Sequence, residues 1–154
     1  MLFTTLISTA ELAARASDPN FVIVDCRHLL TDVGYGRREY AKAHIPGARF
    51  AHLDEDLSAK PNGKNGRHPL PDAEWLGAKF GAMGIDAGKQ VICYDDAGGA
   101  IAGRTWWSLR WLGHDAVAVL DGGITKWMKE GRPVTDAAPS FAPAKFIAKP
   151  KLSF

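Results

Sequence analysis

The chain has 154 residues, of which 46% are hydrophobic, and this size and composition suit one domain with a single substantial core. Its 19 basic and 17 acidic residues leave a net charge of +2, without a block of basic residues. This balance argues against nucleic acid and against a membrane surface as partners.

The first 16 residues do not favour a targeting signal. They carry no early Lys or Arg, and Glu11 interrupts their apolar run. No segment approaches the roughly 20 apolar residues that a membrane span needs. We therefore expect a cytoplasmic protein.

The first half of the chain alternates helical and strand patterns. Ser8 and Glu11 fit a capping box and predict a helix over residues 9–16. The apolar, β-branched run 21–25 predicts a strand that is buried on both faces of a parallel sheet. A polar helix over 37–43 follows, and a short strand is expected over 48–53.

The second half continues the alternation. Strands are predicted over 90–94 and 116–120, and helices over 73–83 and 124–129. Between these strands a helix carries Trp106, Trp107 and Trp111, which we expect in the core or at a domain interface because Trp buries a large area. The order predicts an α/β fold, a mainly parallel sheet with helices on both faces.

The strand ending at Tyr94 leads into a helix through a short glycine-rich loop. Such junctions bind anions, because unpaired N–H groups and the helix dipole point there. Gly98 and Gly99 let the N–H groups converge into a nest, but the loop offers no Cys, Ser or Thr as nucleophile. We predict that the Asp95 carboxylate fills the nest and that Asp96 faces solvent or a partner. The degenerate loop consists of Asp95, Asp96, Ala97, Gly98, Gly99 and Ala100.

The two cysteines give no redox or metal motif. Cys26 and Cys93 are not in a C-x-x-C pair or near histidines at metal-ligand spacing, so we expect no metal and no cofactor. Cys93 lies inside a predicted strand and should be a buried, inert thiol. Cys26 ends a strand and is expected to be more accessible. His44, before a Pro-Gly turn, is expected to hold that turn through backbone hydrogen bonds.

Residues 54–71 have no helical or strand period. Irregular stretches longer than about 12–15 residues in compact domains tend to be functional or disordered. Arg67 flanks His68, with Lys60 and Lys64 upstream. This local positive charge would attract small anions.

Four separated motifs together resemble the rhodanese sulfurtransferase family. They are DCR at 25–27, EYAKAHIPGA at 39–48, the strand, loop and helix with the Trp pair, and LDGGITKWMKEGRPV at 120–134. The resemblance covers residues 21–134 and implies a rhodanese-like domain over 1–134. Residues 135–154 are similar to the connector, or arm, that leads to a second domain.

The resemblance also bears on activity. In active rhodanese domains the loop begins with a Cys that carries a persulfide, whereas Asp95 stands at that position here. This departure resembles the N-terminal, non-catalytic domain of tandem thiosulfate or 3-mercaptopyruvate sulfurtransferases. Such enzymes move sulfane sulfur to cyanide or a thiol. The resemblance implies two partners, a second rhodanese domain of the same full-length chain and a small anionic sulfur donor.

Two residues of the long loop match positions with a role at the domain interface. In mercaptopyruvate-type members an Asp and a His reach toward a hydroxyl beside the catalytic Cys, and these positions correspond to Asp54 and His68. A His oriented by a carboxylate can move a proton to and from a substrate.

Two other functions stay open at this stage. A rhodanese fold without catalysis could act as a stand-alone binding or regulatory module. A phosphatase of the related Cys-loop type would need a Cys and an Arg around five loop residues, but Asp95 and Ile101 occupy these positions.

Overall fold

Five parallel strands form the centre of the computed structural model, which describes residues 2–151. Their order in the sheet is β1-β5-β4-β2-β3. The strands are β1 (Leu6–Ile7), β2 (Phe21–Asp25), β3 (Arg49–Phe50), β4 (Gln90–Tyr94) and β5 (Val117–Leu120). The central strands β2 and β4 pair over their full five residues and are almost entirely buried, as expected for strands covered on both faces.

In the described part of the chain, five helices flank the sheet. They are α1 (Thr9–Ala13), α2 (Tyr35–Lys42), α3 (Ala73–Ala82), α4 (Ala102–Trp111) and α5 (Gly123–Lys129). Leucines of α3 and α4 join one buried cluster on the sheet, while α1 and α5 contribute to a second cluster on its other face. The predicted α/β fold with helices on both faces is confirmed. Within residues 2–151, no helix is long and apolar enough to cross a membrane.

Some predicted boundaries were wrong. β1 was not predicted, because two residues carry too little pattern, and its pairing depends on β5. α1 ends at Ala13 instead of residue 16, because the chain forms turns after this residue. The strand expected over 48–53 is only two residues long, because the chain folds into a tight turn from His52.

The tryptophans of α4 lie at the edge of the core. Trp106 and Trp111 pack against the buried cluster of α3 and α4, and the Trp106 indole donates a hydrogen bond to the Thr4 carbonyl at 2.8 Å. Trp107 stacks on Trp111, and the residue is 38% exposed. Two of the three thus pack against the core while partly buried, and a role at a domain interface stays a prediction.

The arm that follows the last helix lies against this domain as far as it is described, over residues 135–151. Thr135 and His44 exchange two backbone hydrogen bonds at 2.8 and 2.9 Å. Further along, Lys149 donates its N–H to the Leu112 carbonyl at the end of α4. The two ring nitrogens of His44 contact the backbone carbonyls of Tyr40 and Ala137, so the ring joins α2 to the arm and does not itself bond the Pro-Gly turn.

Candidate functional site

The carboxyl ends of the central strands bring the candidate residues together. In a parallel sheet these ends share one edge, where helix N-termini also point. His28 follows β2, His52 and Asp54 follow β3, and the loop that begins at Asp95 follows β4. Three segments far apart in sequence therefore meet at one edge.

The Asp95 carboxylate fills the nest of its own loop. Its Oδ1 accepts hydrogen bonds from the N–H groups of Ala97 and Gly99, both at 2.9 Å. Its Oδ2 accepts from Ile101 at 2.9 Å and Ala102 at 2.8 Å, at the start of α4. Asp95 is 1% exposed, so a fixed carboxylate occupies the space in which a nest would hold an external anion.

Glycine is required on both sides of this carboxylate. Gly98 and Gly99 have φ values of 69° and 92°, in the left-handed region that lets successive N–H groups turn inward. Behind the loop, Gly123 has φ 59°, and a Cβ there would lie 2.3 Å from the Asp95 carbonyl oxygen. That carbonyl accepts the N–H of Ile124 at 3.1 Å. The start of α5 therefore packs closely against the backbone of Asp95 and holds it by a hydrogen bond.

Asp96 lies at the rim of the loop. Its carboxylate accepts the hydroxyl of Tyr35, at the start of α2, at 2.5 Å, and this bond raises the pKa of Tyr35 to about 12. Asp96 is partly exposed, in keeping with the prediction that it faces outward.

A buried ion pair lies at the carboxyl end of β2. The Arg27 guanidinium donates to both carboxylate oxygens of Asp25, the shortest contact being 2.8 Å, and the Tyr94 hydroxyl donates to the same carboxylate at 2.7 Å. Asp25 is fully buried and Arg27 nearly so. Burial raises the pKa of Tyr94 well above its ordinary value, so it stays a donor. Asp25 and Arg27 of the DCR motif, together with Tyr94, therefore link the carboxyl ends of β2 and β4.

Asp54 and His68 meet in a cavity of about 740 Å³ that is lined mainly by residues 54–68. His68 Nδ1 lies 3.0 Å from Asp54 Oδ1, an ion-pair distance, although the contact lacks the alignment of a hydrogen bond. The side chains of His68 and Asp54 are 25% and 37% exposed, respectively. Both ring nitrogens of His68 are nevertheless buried, and neither has a hydrogen-bond partner among the described residues. The structure thus brings together the two residues that the resemblance singled out.

The site contains two histidines that sequence reasoning missed. The His28 ring lies edge-on to His52 and to His68, with centroid distances of 5.3 and 6.3 Å. Burial lowers the pKa of His28. The Asp54 carboxylate raises it, whereas the neighbouring rings of His52 and His68 lower it further. Both His28 and His52 lie within three residues of a strand's carboxyl end, and this position was the signal that could have revealed them.

The long loop is tied to α4 at two points. The Arg104 guanidinium donates to the carbonyls of Leu57 and Pro69 at 3.1 and 3.2 Å. Burial lowers the pKa of Arg104. Ser58 lines the cavity at 4% exposure, and its hydroxyl has no hydrogen-bond partner among the described residues.

The basic residues of the long loop lie at its surface. Lys60, Lys64 and Arg67 are exposed, and Arg67 also lines the cavity beside His68. Arg67 therefore supplies positive charge beside the cavity, whereas Lys60 and Lys64 do not line it.

Both thiols lie inside the core. Cys26 and Cys93 are 0% exposed, so the expectation of an accessible Cys26 was wrong. Cys26 is covered by α4, whose Thr105 hydroxyl lies 3.1 Å from its sulfur. Burial raises the pKa of Cys26, and Cys93 beside it adds to the rise; burial likewise raises the pKa of Cys93.

We expect both thiols to be unreactive in the folded chain. Because the raised pKa values keep them protonated and the core covers them, a disulfide reagent should modify neither within minutes at pH 8. In denaturant it should titrate both. Rapid labelling of one thiol in the native chain would contradict the buried positions and would reopen Cys26 as a nucleophile.

Comparison with known proteins agrees with this architecture. The sequence profile of the rhodanese-like domain matches residues 8–130. The chain belongs to the rhodanese-like domain family. Within residues 2–151, no three His, Cys, Asp or Glu side chains are grouped to hold a metal ion.

Several relatives of this rhodanese-like domain are named sulfurtransferases. A probable 3-mercaptopyruvate sulfurtransferase from Pseudomonas aeruginosa is 46% identical over 150 residues, which are 96% of this chain and 53% of that protein. A thiosulfate sulfurtransferase from Mus musculus is 33% identical over an alignment of 159 positions, which covers 99% of this chain and 52% of that protein. The chain spans about half the length of these curated relatives.

A solved structure shows the same fold. The 3-mercaptopyruvate sulfurtransferase from Leishmania major superposes with a TM-score of 0.86 at 30% identity. The match covers 98% of this chain and 42% of that one.

Proposed function

We propose that this chain is the non-catalytic rhodanese domain of a tandem sulfurtransferase. The parent enzyme would take sulfane sulfur from thiosulfate or 3-mercaptopyruvate and pass it to cyanide or a thiol. A second rhodanese domain, outside this sequence, would supply the nucleophilic Cys. The names of the relatives and their roughly twofold greater length support this proposal.

The observation that carries the proposal is the Asp95 carboxylate. A persulfide loop needs its converging N–H groups free for the sulfur anion, whereas four of them here donate to a side chain of the same loop. An incoming anion would have to displace a buried carboxylate that carries the same sign of charge. We therefore assign the loop a structural role.

Asp54 and His68 are proposed to serve the chemistry of the second domain. When a Cys thiolate attacks the sulfur of 3-mercaptopyruvate, the C–S bond breaks and its electron pair forms an enolate. The proton that the substrate sulfur carried then ends on carbon, which gives pyruvate and a persulfide anion. His68 would carry this proton, with Asp54 orienting its ring. Their contact of 3.0 Å is close but poorly aligned, and it is compatible with this role because catalytic hydrogen bonds often tighten only when the complex forms.

The test compares the 154-residue chain with the longest product of its gene. Thiocyanate formation from thiosulfate and cyanide, and pyruvate formation from 3-mercaptopyruvate and a thiol, are measured for both proteins. We expect turnover only in the longer product. Turnover by the short chain would overturn the assignment and direct attention to Cys26 and Cys93.

Inactivity of both proteins would contradict the proposed sulfurtransferase. In that case, a rhodanese fold used as a binding or regulatory module would be the better explanation.

A further inference from the structure

The ring of His52 uses all its polar atoms in hydrogen bonds to backbone. His52 is 3% exposed, and its Nε2 lies 2.8 Å from the Val33 carbonyl oxygen. A carbonyl can only accept, so Nε2 carries the proton and donates. Nδ1 then presents a lone pair, and it accepts the N–H groups of Asp54 at 3.1 Å and Glu55 at 3.3 Å. One tautomer alone satisfies all three contacts.

The backbone of His52 also closes a tight turn. The His52 N–H donates to the Asp56 carboxylate at 2.8 Å, while the His52 carbonyl accepts the N–H groups of Asp56 and Leu57 at 2.8 and 3.2 Å. Asp54 lies in the middle of this turn. The hydrogen bonds of the His52 ring and of the His52 backbone therefore both fix the backbone of Asp54. They thereby also fix the direction of its Cα–Cβ bond.

A third ring connects this turn to His68. His28 packs edge-on against His52, with an interplanar angle of 79°, and against His68, with an angle of 90°. His28 is 5% exposed. Asp54, held by His52, and His68, packed on His28, are therefore located by one continuous row of rings.

We propose that His52 is a positioning residue, which through its Nε2–H tautomer fixes Asp54 within reach of His68. The positional part of this inference stands on the geometry of the domain alone. Its consequence for proton transfer rests on the proposed function.

The tautomer can be read without any substitution. Long-range ¹H–¹⁵N spectra of the 154-residue chain distinguish a protonated Nε2 from a protonated Nδ1. We expect the Nε2–H form for His52 at neutral pH. The Nδ1–H form would overturn the proposal, because Nδ1 could then not accept the two N–H groups.

Two substitutions distinguish the role of Nδ1 from that of Nε2. In His52→Asn the side-chain oxygen occupies the place of Nδ1 and keeps an acceptor, while His52→Gln keeps a donor near Val33 and loses that acceptor. Amide hydrogen exchange of Asp54 and Glu55 should rise at least about tenfold in His52→Gln and stay close to wild type in His52→Asn. Equal exchange in the two variants would overturn the proposal.

His114→Gln is a matched control. His114 is also a buried histidine with Nε2 2.9 Å from a backbone carbonyl, that of Lys89, but it is not part of the cavity. This variant should leave the exchange of Asp54 and Glu55 unchanged. Faster exchange there as well would overturn the local explanation.

Turnover in the longer gene product shows whether the position of Asp54 matters for proton transfer. With 3-mercaptopyruvate we expect His52→Gln to lower kcat about tenfold with little change in KM, and His52→Asn to retain most of the rate. If amide exchange responds as expected while kcat does not, the proposed proton-transfer role of Asp54 and His68 fails and the positional role stands.

Discussion

Replacing Asp95 with Ala is expected to lower the free energy of unfolding by about 3–5 kcal/mol. The substitution leaves four backbone N–H groups without their acceptor. An unsatisfied buried donor costs about 1–3 kcal/mol, and the total stays below the sum because the exposed part of the loop can recover water. Urea denaturation followed by circular dichroism measures the change.

Two further variants show whether the carboxylate itself is responsible. Asp95→Asn keeps one oxygen but turns an NH₂ group toward two donors, so it should cost about 2–3 kcal/mol, less than Asp95→Ala. Asp96→Ala, the neighbouring control, loses the Tyr35 hydrogen bond and should cost about 1 kcal/mol. If Asp95→Ala is no more destabilising than Asp96→Ala, the carboxylate does not hold the loop.

The role of Asp95 as acceptor was predictable because all its partners are local. The carboxylate, the glycine pair and the four donors lie within residues 95–102, next to an unambiguous buried strand. The same holds for β2 and β4, whose predicted bounds are those of the structure. A continuous apolar run between turns defines such strands without any information from the partner.

Features that depend on distant segments were not predictable in this way. Cys26 looked accessible at a strand end, but Thr105 covers it from a helix 79 residues away. The row of His28, His52 and His68 combines three segments that follow or lie between different strands. The resemblance identified Asp54 and His68 only as matching positions. Their separation of 3.0 Å follows from how a loop without regular structure folds.

In the longer gene product, His68→Ala is expected to lower kcat for 3-mercaptopyruvate by about 10²–10⁴-fold, the usual contribution of a general acid–base group. Thiosulfate provides an internal control. Attack of a Cys thiolate on its outer sulfur breaks the S–S bond and releases sulfite, and no proton moves in this step. The rate with thiosulfate should therefore fall less than about tenfold.

Arg67→Ala separates proton transfer from attraction of anions. Arg67 is exposed beside His68, and both sulfur donors, 3-mercaptopyruvate and thiosulfate, are anions. Loss of its charge should raise KM for the two donors alike and leave kcat nearly unchanged. If His68→Ala behaves in the same way, with equal effects on both donors, His68 contributes charge or structure and does not move the proton.

A double-mutant cycle decides whether Asp54 acts through His68. If the carboxylate orients the ring across their 3.0 Å contact, Asp54→Asn should lower kcat for 3-mercaptopyruvate by about tenfold or more in the wild-type background. In the His68→Ala background it should have almost no effect, because there is no ring left to orient. Additive losses would mean that the two side chains work independently. Asp54 would then have a role of its own at the domain interface, such as holding a group of the second domain.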